Sequence, residues 1–172
     1  MNTPKLLIPL LLLTSCGLVA KFKNSTSYTE QLKPRNIFVI VVADKDTKNC
    51  LNYYQGFLID SLKCNHVETN GTCYCCRDKN TKISDVIREN LLTDNNYTHI
   101  LTVVITKTIV GNGNTSSREL ELDLFSMADQ KKIWKGSLTV SMSWFISEDN
   151  YREVARKLNE STIKEFKNQG IL

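Results

Sequence analysis

Only two histidines, His66 and His99, occur in 172 residues. The chain lacks Gly-x-Ser-x-Gly, His-Glu-x-x-His and any glycine loop that opens a helix to cradle phosphate. Gly111 and Gly113 join strand to strand, so no helix N-terminus is there to hold an anion. His99 falls at a strand end, where a hydrogen-bonded structural histidine is the expected role. There is no basic block and no basic stripe interleaved with aromatics. The 22 Lys and Arg against 18 Asp and Glu leave a mild +4, which argues against nucleic acid as a partner. Nor is there a run of about 20 apolar residues able to span a bilayer. These gaps point to a protein that is not an enzyme and needs no cofactor.

What is present begins at the N-terminus. Lys5 precedes an apolar core over residues 6–13, and the small residues Thr14 and Ser15 precede Cys16. This is the layout of a secretory signal, and Leu13-Thr14-Ser15-Cys16 resembles the lipobox of bacterial lipoproteins. The resemblance implies cleavage before Cys16 and diacylation of its thiol. Lipidation contributes about 0.8 kcal/mol per buried methylene, and two chains hold where one does not. The residue after Cys16 is Gly17 rather than the Asp that commonly retains such proteins at the inner membrane of enteric bacteria. An outer-membrane anchor facing the periplasm is therefore expected. Five Asn-x-Ser/Thr sequons, at Asn24, Asn70, Asn96, Asn114 and Asn159, fit chance in a chain with 16 asparagines.

Three parts follow: a signal peptide (1–15), a lipidated tether (16–36) and one domain (37–172). The mature chain of 157 residues is long enough for a real core. The polar tether, fully stretched, would reach about 60 Å and stand the domain off the bilayer.

Residues 37–43 are apolar at both parities, as in an inner strand. Leu51, Tyr54, Leu58 and Leu62 space an amphipathic helix. A short segment over residues 66–69 ends at the turn signal Asn70-Gly71. Ile83, Val86, Ile87 and Leu91 mark a second helix. From residue 98 to 145 the period is two. Leu120, Leu122 and Leu124 oppose Glu119, Glu121 and Asp123; Trp134, Leu138, Val140, Met142 and Trp144 oppose Thr139, Ser141 and Ser143. Trp134 and Trp144 are expected in the core. A last helix starts at Ser147, carries Tyr151, Val154, Ala155, Leu158 and Phe166, and stops at Gly170. The fold class expected is α/β of the α+β kind: a mixed sheet with a C-terminal antiparallel three-strand meander and helices mainly on one face.

Leu122-Asp123-Leu124-Phe125 and Lys132-Ile133-Trp134, within this order of elements, resemble a group of bacterial lipoproteins. The group includes the curli-export lipoprotein CsgG, the penicillin-binding-protein activator LpoB and the N-terminal domain of TolB. The resemblance covers residues 37–172 and implies a fold and a compartment, not a reaction. A cysteine-rich patch, and the lack of pore hairpins, set this chain apart.

With Cys16 committed to lipid, Cys50, Cys64, Cys73, Cys75 and Cys76 remain. Cys64, His66, Cys73, Cys75 and Cys76 include thiolates and an imidazole that suit zinc, but pairs spaced by one and zero residues do not match structural zinc sites. Export favours disulfides. A helix between them holds Cys50 and Cys64 about 21 Å apart, beyond the roughly 7 Å a disulfide allows. Each is expected to bridge to the 73–76 patch, with the bridge from Cys64 the simpler. The expected function is a non-catalytic, lipid-anchored envelope protein that binds another envelope component or itself. The surface offered is the row Glu119, Glu121, Asp123, Thr139, Ser141 and Ser143, with open edges and residues 111–117 beside it. Thiol redox or metal binding at the patch is the alternative.

Overall fold

The computed structural model describes residues 20–28, 33–75, 84–85, 88, 97–110, 115–143 and 147–172. The element order is β1 (Ala20–Ser27), β2 (Asn36–Ala43), α1 (Lys48–Cys64), β3 (Glu68–Cys75), β4 (His99–Val110), β5 (Thr115–Ser126), β6 (Lys131–Ser143) and α2 (Glu148–Asn168). The six strands form one sheet in the order β1-β6-β5-β4-β2-β3. β2 is parallel to both β3 and β4, whereas β4, β5, β6 and β1 are antiparallel to their neighbours. This is an α+β fold with a mixed sheet, and α1 and α2 lie side by side on one of its faces.

The parities set that face. Ile37, Val39 and Val41 of β2, Leu101 and Val103 of β4, Leu120, Leu122 and Leu124 of β5, and Trp134, Leu138 and Val140 of β6 are all buried in the main core. They meet Leu51, Tyr54, Leu58 and Leu62 of α1 and Val154, Ala155, Leu158 and Phe166 of α2. Tyr54 is fully buried, and its hydroxyl satisfies itself 2.9 Å from Thr162 Oγ1 across the two helices. On the other face Ile40, Val42, Ile100 and Val104 make a smaller buried cluster, which accounts for the unbroken apolar run of β2.

α2 begins and ends on the expected residues. Ser147 accepts from the Asn150 N–H, Glu148 and Asp149 occupy the positive end, and Gly170 takes φ +68°. Met142 as a side chain, Trp144, the 111–114 loop, Cys16 and Cys76 lie outside the described residues. Of the expected second helix, Ser84, Asp85 and Arg88 are helical and its apolar positions lie outside the described residues.

Two expectations are corrected. Residues 20–27, read as tether, are a strand on the edge of the sheet: Ala20 pairs with Val140, Phe22 with Leu138 and Ser27 with Trp134. Ala20 and Phe22 turn to the core, and the polar residues after them bond to α2, with Ser25 against Glu165 and Ser27 against Gln169. The meander therefore gains a fourth antiparallel strand. Asn70-Gly71, read as a turn, lies inside β3, where Gly71 pairs with Val39.

Val140 and Ser141 test the register directly. Val140 is 3% exposed whereas Ser141 is exposed. Val140→Ala is expected to cost about 1–3 kcal/mol in denaturant melts and Ser141→Ala under about 0.5.

Candidate functional site

The face of the meander away from the helices carries β5's carboxylates. Each has a lysine. Lys23 of β1 lies 3.0 Å from Glu119, Lys135 of β6 lies 2.7 Å from Glu121, and Lys132 lies 2.6 Å from Asp123. Glu119 also accepts from Ser137 Oγ at 2.9 Å. The bond from Lys23 and then that from Ser137 hold the Glu119 carboxyl below its ordinary range. Asp123 behaves in the opposite way. Its side chain is only 13% exposed, and burial raises its carboxyl despite the Lys132 ammonium. That ammonium also stands 5.6 Å over the Phe125 ring. The carboxylates of the row expected to be offered to a partner are thus held in cross-strand ion pairs. The sequence does not display these pairs because they depend on strand register, not on spacing along the chain. Thr139 is half-buried on this face and Ser141 exposed, and Ser143 ends β6.

At one end of the sheet, β2 turns into α1 through Asp44, which accepts from the Thr47 N–H at 2.9 Å. Asp44 also meets the guanidinium of Arg118, whose Nη1 lies 2.8 Å from Asp44 Oδ2 and 3.2 Å from Thr108 Oγ1. Arg118 shares the parity of Leu120 and is 14% exposed, so it closes the end of the core with its charge met.

The cysteines divide between the two ends. α1 rises about 26 Å over its 17 residues. Cys64 closes it, and Glu68 then pairs with Asn36 at the start of β2. β3 runs on through Gly71, so Cys73 pairs with Val41 and Cys75 with Ala43. Cys73 is five residues past Glu68, about 17 Å along the strand. The expected bridge from Cys64 to Cys73 or Cys75 is therefore corrected: the strand that replaces the turn carries those thiols to the far end of α1. For the same reason Cys64 and His66 do not share a site with Cys73 and Cys75. No three His, Cys, Asp or Glu side chains gather around a metal-sized space among the described residues. Cys50 and Cys73 lie at the same end of the sheet, each a free thiol. Burial pushes the Cys50 thiol up to about 12, with Arg118 pulling against it. Burial, then the neighbouring Cys75, pushes Cys73 up to about 11 against the pull of Lys48. In the folded protein at pH 8, iodoacetamide is expected to alkylate the exposed Cys64 readily, and Cys50 only after denaturation. Peptide mapping reads the order.

His99 pairs with Ile37 and Ser126, and its Nδ1 lies 2.8 Å from Thr98 Oγ1. Burial lowers its pKa. It is a hydrogen-bonded strand-end histidine, as expected.

No protein-family model and no curated relative matches the sequence. Among solved structures, the PelC dodecamer from Paraburkholderia phytofirmans is similar at 10% identity and a TM-score of 0.49, over 82% of this chain and 96% of that one. Lipoprotein GNA1162 from Neisseria meningitidis is similar at 13% identity and 0.49, over 78% of this chain and 99% of that one. Protein XCC0632 from Xanthomonas campestris is similar at 6% identity and 0.49, over 83% and 90%. None of the three is CsgG, LpoB or TolB. Likenesses at this level carry no functional argument.

Proposed function

We propose that the chain is a non-catalytic, lipid-anchored protein of a bacterial cell envelope, held at the outer membrane and facing the periplasm. Its α+β domain binds another envelope component or assembles with copies of itself. Leu13-Thr14-Ser15-Cys16 behind the apolar core of residues 6–13 carries this reading. Among the described residues, the domain supports it by offering an ion-paired open face and two sheet edges, β1 and β3, to a partner. The thiols of Cys50 and Cys73, raised by burial, weigh against the redox alternative.

Cys16→Ser is expected to abolish palmitate labelling and to release the protein from the outer-membrane fraction. Undiminished labelling of the Ser variant would overturn the reading.

A further inference from the structure

We propose that the end of the sheet where β1 begins rests on the lipid bilayer, with Lys21, Lys107 and Ile109 at the surface of an anionic leaflet. This rests on the lipid-anchor reading of Cys16. The geometry follows from where β1 starts. Ala20 is already paired with Val140, and four residue steps separate it from Cys16. Those steps reach at most about 14 Å, less than the roughly 15 Å radius of gyration of a domain this size. An anchored domain therefore has no room to stand away. The surface around Ala20 must meet the headgroups.

Strand pairing identifies that surface. Ala20 pairs with Val140, Val140 with Arg118, and Arg118 with Thr108. The four form one row about 14 Å wide across β1, β6, β5 and β4. β1 runs away from this row towards Ser27, so its N-terminal end points out past the row. Ile109 lies one residue past the row and is 42% exposed. Just inside the row, Lys21, Thr139, Glu119 and Lys107 line up across the open face.

Charge selects the same place. Lys23, ion-paired with Glu119, and Lys107 both act on that carboxylate, and Lys21 lies in the same row across Thr139. Further along the same face, Glu121 and Asp123 are matched one to one by Lys135 and Lys132. On the helix side of this end, Asp44 and Asp46 meet Arg118, and the exposed Glu148 and Asp149 open α2. The positive excess thus lies on the open face, on the half nearest the anchor. A cavity of about 370 Å³ beside Lys21, Lys23 and Thr139 gives space for a phosphate headgroup. Lysines flanking an exposed aliphatic side chain suit the boundary of an anionic membrane.

The test uses lipidated protein in vesicles of phosphatidylethanolamine and phosphatidylglycerol. Lysines are acylated with a water-soluble reagent, and mass spectrometry compares their rates with those of Cys16→Ser protein in solution. Lys21 and Lys107 are expected to react about fivefold more slowly on vesicles, with Lys131 at the far end of the sheet unchanged. Removing phosphatidylglycerol should weaken the protection. Anchored protein with Lys21 and Lys107 unprotected, or with Lys131 protected equally, overturns the orientation alone. Protein that carries no lipid on Cys16 and does not float with the vesicles overturns the anchor reading, and this inference with it.

Discussion

Trp134→Ala is expected to lower stability by about 3–5 kcal/mol, the cost of removing a fully buried large aromatic and leaving a cavity. Trp134 is 0% exposed. Its ring meets Phe166 of α2 edge-on at 5.1 Å and Phe22 of β1 at 6.3 Å. It also roofs Gly136, where an added Cβ would come within 2.4 Å of the indole. The substitution therefore loosens three elements at once: the last helix, the edge strand and the centre of β6. In a chain of this size the melting temperature should fall by roughly 6–20 °C. Trp134→Phe should cost clearly less. It keeps an aromatic edge for Phe166 and removes an indole N–H that has no acceptor among the described residues. Thermal melts followed by circular dichroism check both. Equal losses would mean that the aromatic cluster is not what holds α2 to the sheet.

Gly71→Ala is the second large effect expected, at about 1–3 kcal/mol or above. The added Cβ would lie 2.3 Å from the carbonyl oxygen of Val39 and 3.0 Å from both the Val39 Cβ and the Gln55 amide nitrogen. A backbone oxygen in the middle of a sheet cannot swing aside. β3 would have to part from β2 to admit a methyl group. Gly56→Ala is the matched control. Nothing lies within 4 Å of its Cβ position on α1, so alanine there should stabilise by about 0.5–1 kcal/mol through helix propensity. Denaturant midpoints moving in opposite directions for the two variants would establish that Gly71 is kept for space.

Gly71 also shows where sequence reasoning stops. Asn-Gly is a local turn signal, and locally it is a sound one. Here the requirement is tertiary: a strand needs the smallest residue where a neighbour's carbonyl crowds it, and no single-sequence pattern displays that neighbour. Reading a turn there misplaced the cysteines, since a chain that reverses at residue 71 would return Cys73 towards Cys64. β1 was missed for a different reason. As an edge strand its buried contribution is Ala20 and Phe22, after which the residues are polar on both sides and bond to α2 by side chains. Two apolar positions are too few to establish a period. By contrast, β5 and β6 were legible residue by residue. One face of each is dry over most of its length, so Leu120, Leu122 and Leu124 of β5 and Trp134, Leu138 and Val140 of β6 keep a period of two, with Ile133 also buried beside Trp134. The charged partners on the opposite face were legible as polar, not as pairs.

The direction of β1 bears on how an anchored domain would carry load. Tension on the N-terminal side enters at Ala20 and pulls along the strand. The hydrogen bonds between Ala20–Ser27 and β6 lie across that pull, so they are loaded in shear and must yield together. A strand entering with the reverse polarity would be peeled one bond at a time. The side-chain bonds from Ser25 and Ser27 to Glu165 and Gln169 add resistance at the far end of the same strand. A pulling measurement through residue 16 should therefore find a higher rupture force than one that draws β1 off sideways from Ser27.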